Sequence, residues 1–559
     1  GTGTHGGPLS HRKGGTLDLA LYVLLGLLAA APLWGPGIIS TRGGGDSPFL
    51  IQRTLELADN LRHGVFPPRW MSHAAFDLGY PFFNHYAALP YYLSGGLTSL
   101  GLNPLAAIQI TQTFGFVLAA IAMGLWSLSI FRGRAARALA VAAYTFAPFH
   151  LVNVYVRGDS LSEFFALALY PLILWALHRV ARKPTLGRAL TVALTYGALI
   201  LTHNVSALIF SPFAAIYACA AACQHGFAPT SQASGVLRQE RNRTEVNPTR
   251  TLVQSLAMCA AAAVVGVLLT AWFWLPAIGE IDLGQMGPAF TEGYFHYSNH
   301  FRGFDLVQDS VIFDYSVAAT ATEAGPFAMG LVQAVLALAG ATATGFRWVS
   351  RRDKTKHRAG SPFPWLPVAV LAGGFLATFM VTPLSRPLWD ALPLLEVTQF
   401  PWRFLSIQAL FAAALAGAVA EAGQMANPAL QPDTGLPDER GHTLGRFTTI
   451  ATAAIGICAV AVAALAGLKP DRLLIAPEDV TWERLLLYES FTGNIGTTVR
   501  YEYLPKDVVP RLYTSEALID GVGAVIADDG GTVDAVLRER TSSRQVWSVT
   551  TGTTRTIVL

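Results

Sequence analysis

The chain contains 559 residues, of which 52% are hydrophobic and 13% are charged, against roughly 25% charged in ordinary soluble domains. Its formal net charge of +3 is too small to indicate a nucleic-acid partner, because such partners select a concentrated basic surface. The apolar residues occur in runs of about 20, the length that crosses a hydrocarbon core of about 30 Å. A soluble fold is therefore excluded.

The apolar runs predict an all-α, multi-pass membrane protein with about eleven transmembrane helices. The predicted spans are residues 17–39, 105–130, 136–154, 160–178, 189–203, 205–223, 252–275, 326–346, 363–382, 402–421 and 447–467. Residues 1–16, which contain Arg12 and Lys13, are predicted to be a cytoplasmic N-terminus. The transmembrane domain would then occupy residues 17–467.

Positive charge is gathered in short loops, and such loops usually face the cytoplasm. Their basic residues are Arg132, Arg134 and Arg137; Arg179, Arg182 and Lys183; Arg238, Arg241, Arg243 and Arg250; and those between Arg347 and Arg358. This orientation requires that residues 76–102 do not span the membrane. That stretch is broken by Pro81 and Pro90 and is rich in Tyr and Phe, so we expect it to lie at the membrane surface.

Three extracytoplasmic regions follow from this map, at residues 40–103, 278–325 and 468–559. The last one ends in VWSVTTGTTRTIVL, whose Val, Thr and Ile content predicts a β-strand. A sheet that stopped there would have an unfinished edge, so we expect the native chain to continue past Leu559.

The first outer region begins with a candidate catalytic carboxylate, Asp46, which follows three glycines. Ser47 and Pro48 favour a helix start, and the following residues up to Gly64 alternate an apolar stripe with a polar face. This pattern predicts an amphipathic helix lying in the membrane interface. Asp46 would sit at the positive end of its dipole, which favours the ionised carboxylate. The alternative is a carboxylate that only caps the helix.

The segment RGDSLSEFF places Arg157, Asp159 and Glu163 at an outer membrane edge. Asp159 and Glu163 are further candidate catalytic carboxylates, because charge at this depth is costly without a task or a partner. The alternative is a structural ion pair between Arg157 and Glu163. Glu280 and Asp282 lie just outside another span, where we expect them to be solvated.

Two more polar groups stand at outer ends of spans. His203 and Asn204 occupy the turn between two spans, and Gln399 and Arg403 lie in TQFPWRFL. Arg403 breaks the bias of basic residues toward the cytoplasm, which suggests an anion ligand. The alternative for His203 is a structural residue whose hydrogen bonds are made within the membrane interface. The alternative for Arg403 is a side chain that extends along the span to reach water.

The polar groups together suit a lipid-linked phosphate substrate, since they converge on the outer face beside aromatic residues. The sequence has no P-loop, no GxGxxG after a strand and no CxxC or HxxxH metal pattern. We predict that Arg157 and Arg403 hold the donor phosphate, with His203 and His85 as weaker candidates. The full set of substrate-binding candidates is Arg53, Arg69, Tyr80, Asn84, His85, Tyr86, Arg157, His203, Asn204, Gln399 and Arg403.

Several blocks resemble a family of bacterial polytopic membrane proteins labelled "6-pyruvoyl-tetrahydropterin synthase-related". The blocks are GGGDSPFLIQRTLELADNLRHGVFPPRW, GYPFFNHYAALPYYL, RGDSLSEFFALALYPLILWAL, LTHN, FWLPAIGE, QFPWRF and GNIGTTVRYEYLP. These proteins resemble the GT-C glycosyltransferase superfamily, which uses polyprenyl-phosphate-linked sugars and an acidic residue in the first outer loop. Asp46 matches that residue. The resemblance implies a GT-C-like fold in a bacterial cytoplasmic membrane.

The match at Asp46 departs from the superfamily pattern at both neighbours. Ser47 follows it, so a second acidic residue is missing, and Gly45 stands where relatives carry histidine. The sequence therefore leaves the cofactor unknown. The resemblance suggests a divalent metal ion, Mg or Mn.

The sequence thus predicts a glycosyltransferase that moves a sugar from a polyprenyl-phosphate donor to an acceptor on the extracytoplasmic face, with Asp46 as general base. Its expected partners are that donor and membrane lipids, without nucleic acid, and the sugar and acceptor are open. A transporter or flippase of lipid-linked saccharides and a non-catalytic scaffold are the alternatives. Transporters place ionisable residues near the bilayer midplane, whereas these lie at the outer edge.

Overall fold

The computed structural model describes residues 9–42, 46–227, 248–286, 291–317, 325–355, 363–425, 439–496, 501–508, 526–527, 533–541, 544–552 and 557–558. The helices are α1 (Leu9–Ala30), α2 (Pro48–Arg62), α3 (Phe82–His85), α4 (Leu89–Ser99), α5 (Pro104–Ile130), α6 (Arg134–Thr145), α7 (Pro148–Tyr155), α8 (Leu161–Arg182), α9 (Leu186–Thr202), α10 (Asn204–Gly226), α11 (Pro248–Leu269), α12 (Ala271–Gly279), α13 (Leu331–Thr355), α14 (Trp365–Val381), α15 (Arg386–Ala391), α16 (Pro393–Glu396), α17 (Leu405–Met425), α18 (Glu439–Leu465) and α19 (Trp482–Thr492). The strands are β1 (Ile38–Ile39), β2 (Arg472–Leu473), β3 (Ile526–Ala527), β4 (Asp534–Thr541), β5 (Arg544–Thr550) and β6 (Ile557–Val558).

Eight helical segments among the described residues are long and apolar enough to cross a membrane. They are Gly15–Leu33, Pro104–Ile130, Arg134–Tyr155, Leu161–Arg182, Asn204–Gly226, Thr249–Leu269, Pro401–Ala422 and Phe447–Leu465. A ninth is possible if α14 and the following helical segment, which meet at an angle of 91°, form one broken span. The chain is a multi-pass membrane protein, as predicted.

The predicted count of about eleven spans is not confirmed. Each predicted span coincides with a helix, but α9 has only 17 residues and α13 is not among the candidate spans. Threonine, glycine and Gln333 dilute the apolar side chains of α13. The predicted span 363–382 is represented by α14, which qualifies only together with its bent partner.

Helix α8 is one centre of the helix packing, and α5, α9 and α10 pack around it. Helix α17 is the second centre, contacted by α6, α13 and α14. Small residues permit the close crossings, as is common between membrane helices. A Cβ on Gly340 of α13, for example, would lie 1.8 Å from the backbone oxygen of Leu415. The packing brings the outer ends of α8 and α17 side by side.

The first outer region folds over these outer ends. Helix α2 packs against α4, which packs in turn on α5 and α8. No candidate span covers residues 76–102, all of which are described, as the predicted orientation requires; their location at the membrane surface stays a prediction. Strand β1 pairs with β2 through Ile38 and Leu473, so the start of the C-terminal region lies on the same face as the first outer region.

The prediction that α2 lies in the membrane interface with a solvated polar face is wrong. Helix α2 has the expected bounds, and Gly64 follows it with a φ of +71°. Its polar face, however, is buried: Gln52, Arg53 and Glu56 are at most 3% exposed. Protein covers this face, so α2 is not an interfacial helix with a solvated side. The polar residues of α2 therefore have partners elsewhere in the chain.

The end of the C-terminal region contains the predicted strand structure, because β6 lies within VWSVTTGTTRTIVL and β5 overlaps its first five residues. Strand β5 forms an antiparallel pair with β4, and β6 pairs with β3. Of the loops predicted to be cytoplasmic, at 224–250, 347–360 and 423–446, residues 228–247, 356–360 and 426–438 lie outside the described residues.

Candidate functional site

Two loops are tied together at the outer face, one before α2 and the other before α8. The hydroxyl of Thr41 donates to the backbone oxygen of Arg157 at 2.8 Å, and the Arg42 amide donates to the Val156 oxygen at 2.8 Å. The hydroxyls of Thr41 and Ser47 are 2.9 Å apart. Ser47 precedes α2 as predicted, but its side chain makes no capping hydrogen bond to the helix.

A glycine sets the spacing between these loops. Gly158 has a φ of +61°, and a Cβ there would lie 2.7 Å from Ser47 Oγ and 2.9 Å from Thr41 Oγ1. No other residue fits this contact without strain or displacement. The contact places Asp159, the next residue, near Asp46. The two loops thus bring together two of the three predicted catalytic carboxylates.

Asp46 and Asp159 form a carboxylate pair of raised pKa. Burial is the main cause for both; the charge of Asp46 adds to it at Asp159, whose pKa is raised to about 6. Arg53 and Arg157 act in the opposite direction on both carboxyls. In the described part of the chain, the Asp46 carboxylate accepts no hydrogen bond. Burial at Asp46 thus acts against the ionised form, which the predicted position at the helix N-terminus would favour.

Arg53 is held in place by the C-terminal region rather than by a carboxylate. Its Nε and Nη2 donate to the Gly496 oxygen at 3.2 and 3.0 Å, and Nη1 donates to the Tyr91 hydroxyl at 3.1 Å. The guanidinium lies over the Phe82 ring at 4.5 Å and over the Tyr86 ring at 5.5 Å. Arg53 thus presents a fixed positive charge to the carboxylate pair while its hydrogens are engaged elsewhere.

A second group, the Glu163 cluster, is built from the outer ends of α8 and α17. Arg157 Nη1 donates to Glu163 Oε2 and to Asn153 Oδ1, both at 2.6 Å. Arg403 Nε lies 3.5 Å from the same Glu163 oxygen, and its Nη1 donates to the Thr398 oxygen at 2.6 Å. The ion pair proposed as the alternative for Arg157 and Glu163 is therefore present. Two guanidiniums share one carboxylate, which leaves an excess of positive charge.

Arg403 does not extend to water. It is 9% exposed, and among the described residues its buried Nε has no hydrogen-bond partner of good geometry. Aromatic rings flank both guanidiniums, with Arg157 over Trp402 at 5.1 Å and Arg403 over Phe400 at 5.0 Å. Gln399 is 3% exposed and has a φ of +62°, a strained conformation typical of functional sites. The snorkelling alternative for Arg403 is wrong.

His203 belongs to the same cluster, whereas its neighbour does not. His203 is 7% exposed, and its Nδ1 accepts from the Ser206 amide at the start of α10 and contacts the Ser206 hydroxyl at 2.7 Å. Its ring is within electrostatic range of Glu163. Asn204 is exposed, and its Oδ1 accepts from the Val205 amide at 3.0 Å.

Arg69, Asn84 and His85 form a separate group that links the first outer region to α12. Arg69 Nη1 donates to Asn84 Oδ1 at 2.8 Å, and Asn84 Nδ2 donates to Glu280 Oε2 at 2.8 Å. Glu280, expected to be solvated, is therefore a hydrogen-bond partner. His85 Nδ1 lies 3.3 Å from the Ala277 oxygen. No hydrogen bond in the described ranges joins this group to Asp46 or Asp159.

The aromatic candidates of the first outer region are contacted by Tyr503, which the sequence analysis did not single out. The Tyr503 amide donates to the Tyr80 hydroxyl at 3.2 Å, and its ring stacks on His85 at 5.3 Å. Tyr86 lies between Tyr91 and the Arg53 guanidinium. The only sequence signal for Tyr503 is its place in the block GNIGTTVRYEYLP.

Helix α19 supplies another missed residue, Glu489. Its carboxylate is 1% exposed and accepts from Gln52 Nε2 at 2.6 Å and from the amides of Ala75 and Phe76 at 3.2 and 2.8 Å. Ala75, Phe76 and Asp77 all have φ between +55° and +66°. Burial raises the pKa of Glu489 to about 7. Glu489 thus joins the C-terminal region to α2 and to a strained turn.

A metal ion was left open by the sequence. Over the described residues, no group of three or more His, Cys, Asp or Glu side chains is arranged to hold one. Asp46 and Asp159 provide two carboxylates, which matches the one or two that Mg²⁺ takes together with substrate phosphates and water. The pair fits a metal that the substrate would help to hold.

Comparisons with known proteins give partial likenesses of fold only. No family model and no curated protein matches the chain, so the 6-pyruvoyl-tetrahydropterin synthase-related label is not shown. Solved structures with similarity include oligosaccharyltransferase AglB from Archaeoglobus fulgidus with an inhibitory peptide and a dolichol-phosphate, at 14% identity and TM-score 0.46, over 88% of this chain and 61% of that one. This chain thus spans less than two thirds of the archaeal protein.

Two further structures cover most of this chain. Arabinofuranosyltransferase AftD from Mycobacteria is 14% identical, with TM-score 0.42, over 82% of this chain and 28% of that one. ArnT from Cupriavidus metallidurans, bound to undecaprenyl phosphate, is 11% identical, with TM-score 0.38, over 85% of this chain and 77% of that one.

Proposed function

We propose that this protein is a membrane glycosyltransferase that transfers a sugar from a polyprenyl-phosphate-linked donor to an acceptor hydroxyl at the extracytoplasmic face. One observation carries the proposal: a carboxylate pair with raised pKa values lies beside an arginine cluster with excess positive charge, at the outer ends of apolar spans. The cluster suits the donor phosphate, and the pair suits the acceptor proton.

The Glu163 cluster is the proposed phosphate site. Arginine binds phosphate through two parallel hydrogen bonds, and Arg157 and Arg403 carry two positive charges against the single charge of Glu163. The Nε of Arg403 lies 3.5 Å from Glu163 Oε2 and makes no hydrogen bond of good geometry with the described residues, so a phosphate oxygen could accept from it. A location at the outer ends of α8 and α17 would leave the polyprenyl chain in the bilayer.

Asp46 is the proposed general base. The acceptor oxygen attacks the anomeric carbon, the bond from that carbon to the phosphate oxygen breaks, and its electron pair leaves with the lipid phosphate. The acceptor proton passes to the Asp46 carboxylate. A raised pKa makes Asp46 a stronger base than an ordinary carboxylate, and general-base efficiency rises as the pKa approaches the working pH. A phosphate leaving group needs little acid assistance.

Asp159 is proposed to couple its ionisation to that of Asp46, whose charge adds to burial in raising the pKa of Asp159, and to complete a metal site if one is used. A divalent ion bound by the two carboxylates would neutralise negative charge on the donor phosphate. Glu163 is proposed as the counter-ion that orients both arginines. Its 2.6 Å contact with Arg157 makes it a weaker base than Asp46, although it is still a catalytic candidate.

The rival functions predict different products. Purified protein in nanodiscs should release polyprenyl phosphate from a polyprenyl-phosphate sugar and form a glycosylated acceptor. A flippase reconstituted in vesicles would move the intact donor across the bilayer without cleaving it. A scaffold would do neither. Cleavage that depends on an added acceptor supports the transferase, whereas movement without cleavage would overturn it.

The proposed orientation places the N-terminus in the cytoplasm of a bacterial cell and the C-terminal region outside. It is supported by the pairing of Asp18 near the start of α1 with Arg134 at 2.6 Å and Arg137 at 3.4 Å. This contact groups the N-terminal end with a basic loop, on the side that the positive-inside rule assigns to the cytoplasm. Labelling of a cysteine at position 243 from outside sealed cells would contradict this orientation.

A further inference from the structure

A cavity of about 510 Å³ opens between the start of α2 and helix α19. Most of its wall is apolar, formed by the side chains of Ile51, Leu473, Ile475, Val480, Leu485 and Tyr488. The volume is within the range of small-molecule sites, about 300–1,000 Å³. No spanning helix contributes to this wall, so the cavity belongs to the outer face.

The cavity has two serines in its buried part and an ion pair in its exposed part. Ser47 is buried at one end, beside half-buried Ser40. Asp479 and Arg484 line the more exposed part, and they pair with each other at 3.4 Å. An anionic or cationic ligand would therefore have to displace an existing ion pair. The remaining wall offers little to a polyol, which needs several hydrogen-bond partners.

The buried end of the cavity adjoins the proposed base. Ser47 follows Asp46 in the chain, and the charge of Asp46 acts on the Tyr488 phenol in the cavity wall. Asp46 is also within electrostatic range of Arg53 and Arg157. The base is thus flanked by the arginines and by the cavity. Ser47 lines the cavity and is the chain neighbour of Asp46, whereas Arg157 and Arg403 of the proposed phosphate site do not line it.

We infer that this cavity binds the acceptor, and that the acceptor is an uncharged amphipathic alcohol whose apolar body occupies the cavity with its hydroxyl toward Ser47 and Asp46. The inference rests on the proposed transferase function. It adds the chemical class of the acceptor, which neither the sequence nor the carboxylate pair specifies. Apolar acceptors should gain affinity with each buried methylene group, roughly fourfold in KM for about 0.8 kcal/mol.

The test compares two tryptophan substitutions on the same helix. Leu485→Trp fills the cavity, whereas Leu487→Trp adds the same side chain to an exposed position outside the wall. Transfer to a series of 1-alkanols from ethanol to octanol is measured in nanodiscs, with glycerol as the polar acceptor. We expect KM to fall with chain length in the unmodified protein and in Leu487→Trp, and the dependence to disappear in Leu485→Trp.

A second measurement separates this inference from the function. A photoreactive diazirine derivative of octanol should label peptides within residues 473–488 in the unmodified protein and in Leu487→Trp, and not in Leu485→Trp. This labelling requires no turnover, so it tests the cavity even if no donor is cleaved. Absence of labelling there, or donor cleavage with a preference for glycerol, would overturn the amphipathic acceptor. Absence of donor cleavage with labelling intact would overturn only the transferase.

Discussion

The Glu163 cluster and the carboxylate pair lie at the same outer edge but differ in how their charges are compensated. Glu163 faces two guanidiniums and sits near His203. Asp46 and Asp159 are coupled electrostatically, with arginines near both but no hydrogen bond to the Asp46 carboxylate from the described residues. A buried charge without close partners is costly. The difference teaches that the carboxylates of one outer edge can be either matched by guanidiniums or left with a raised pKa, and these two states suit the two roles proposed above.

The largest expected effect is on the pair. Asp46→Asn should lower transfer by about 10²–10⁴-fold, the usual contribution of a positioned base. Expression and thermal stability should be almost unchanged, because Ser47 and not Asp46 precedes α2 as its cap residue, and the Asp46 carboxylate accepts no hydrogen bond from the described residues. Initial rates of sugar transfer, with exposed Asp282→Asn as the control, decide this. An active Asp46→Asn variant would move the base to Asp159 or Glu163.

Loss of the carboxylate of the Glu163 cluster should lower the stability of the protein, unlike loss of the Asp46 carboxylate. Glu163→Gln leaves Arg157 and Arg403 without their counter-ion, and breaking a buried pair costs about 3–5 kcal/mol. We expect lower yield and a lower thermal midpoint, which Asp46→Asn should not show. Equal thermal midpoints for these two variants would contradict the distinction between the cluster and the pair.

Conservative replacement of the arginines should weaken donor binding. Arg157→Lys or Arg403→Lys retains the positive charge but loses the two parallel hydrogen bonds of the guanidinium. We expect the KM for the donor to rise about tenfold, because this corresponds to the loss of one hydrogen bond to a charged group. Steady-state kinetics with the donor varied would measure it, with Arg386→Lys on exposed α15 as the control. Unchanged donor affinity in both variants would exclude the phosphate site.

The pH dependence should report the coupling of the pair. A base works only when deprotonated, so a raised pKa moves the acid loss of activity upward from the ordinary range. Because burial raises the pKa of Asp46, we expect kcat/KM to begin falling at a higher pH than it would with an ordinary carboxylate as the base. Asp159→Asn removes the neighbouring charge and should shift the profile of Asp46 to lower pH. An unshifted profile would show that the two groups titrate independently.

The smallest effect concerns the contact between α19 and α2. The folded state raises the pKa of Glu489 from 4.5 to about 7, so the protonated carboxyl is favoured. Its contribution to stability is complete below about pH 4.5 and is lost as the pH rises to about 7. Limited proteolysis near α19 should therefore be several-fold faster at pH 7.5 than at pH 5. In Glu489→Gln this difference should disappear; persistence there would assign it to other groups.

Much of the helical framework could be predicted, because spans and helix starts are local properties of the sequence. The positions of Arg157, His203 and Arg403 at outer ends follow from the same signals. The partners of α2 could not be predicted: the hydrogen bond from Gln52 to Glu489 joins residues 437 positions apart. The approach of Asp159 to Asp46 could not be predicted either, because it depends on Gly158, in a loop more than 100 residues away in the chain.

The contacts of Arg53 with Gly496 and of Gln52 with Glu489 have a consequence for biosynthesis. Gln52 and Arg53 are translated before all but the first of the described spans, whereas Glu489 and Gly496 are translated after all of them. A nascent chain therefore contains Asp46 long before the residues that complete its surroundings are made. If the proposed function holds, donor cleavage should begin only after the C-terminal region has docked against α2.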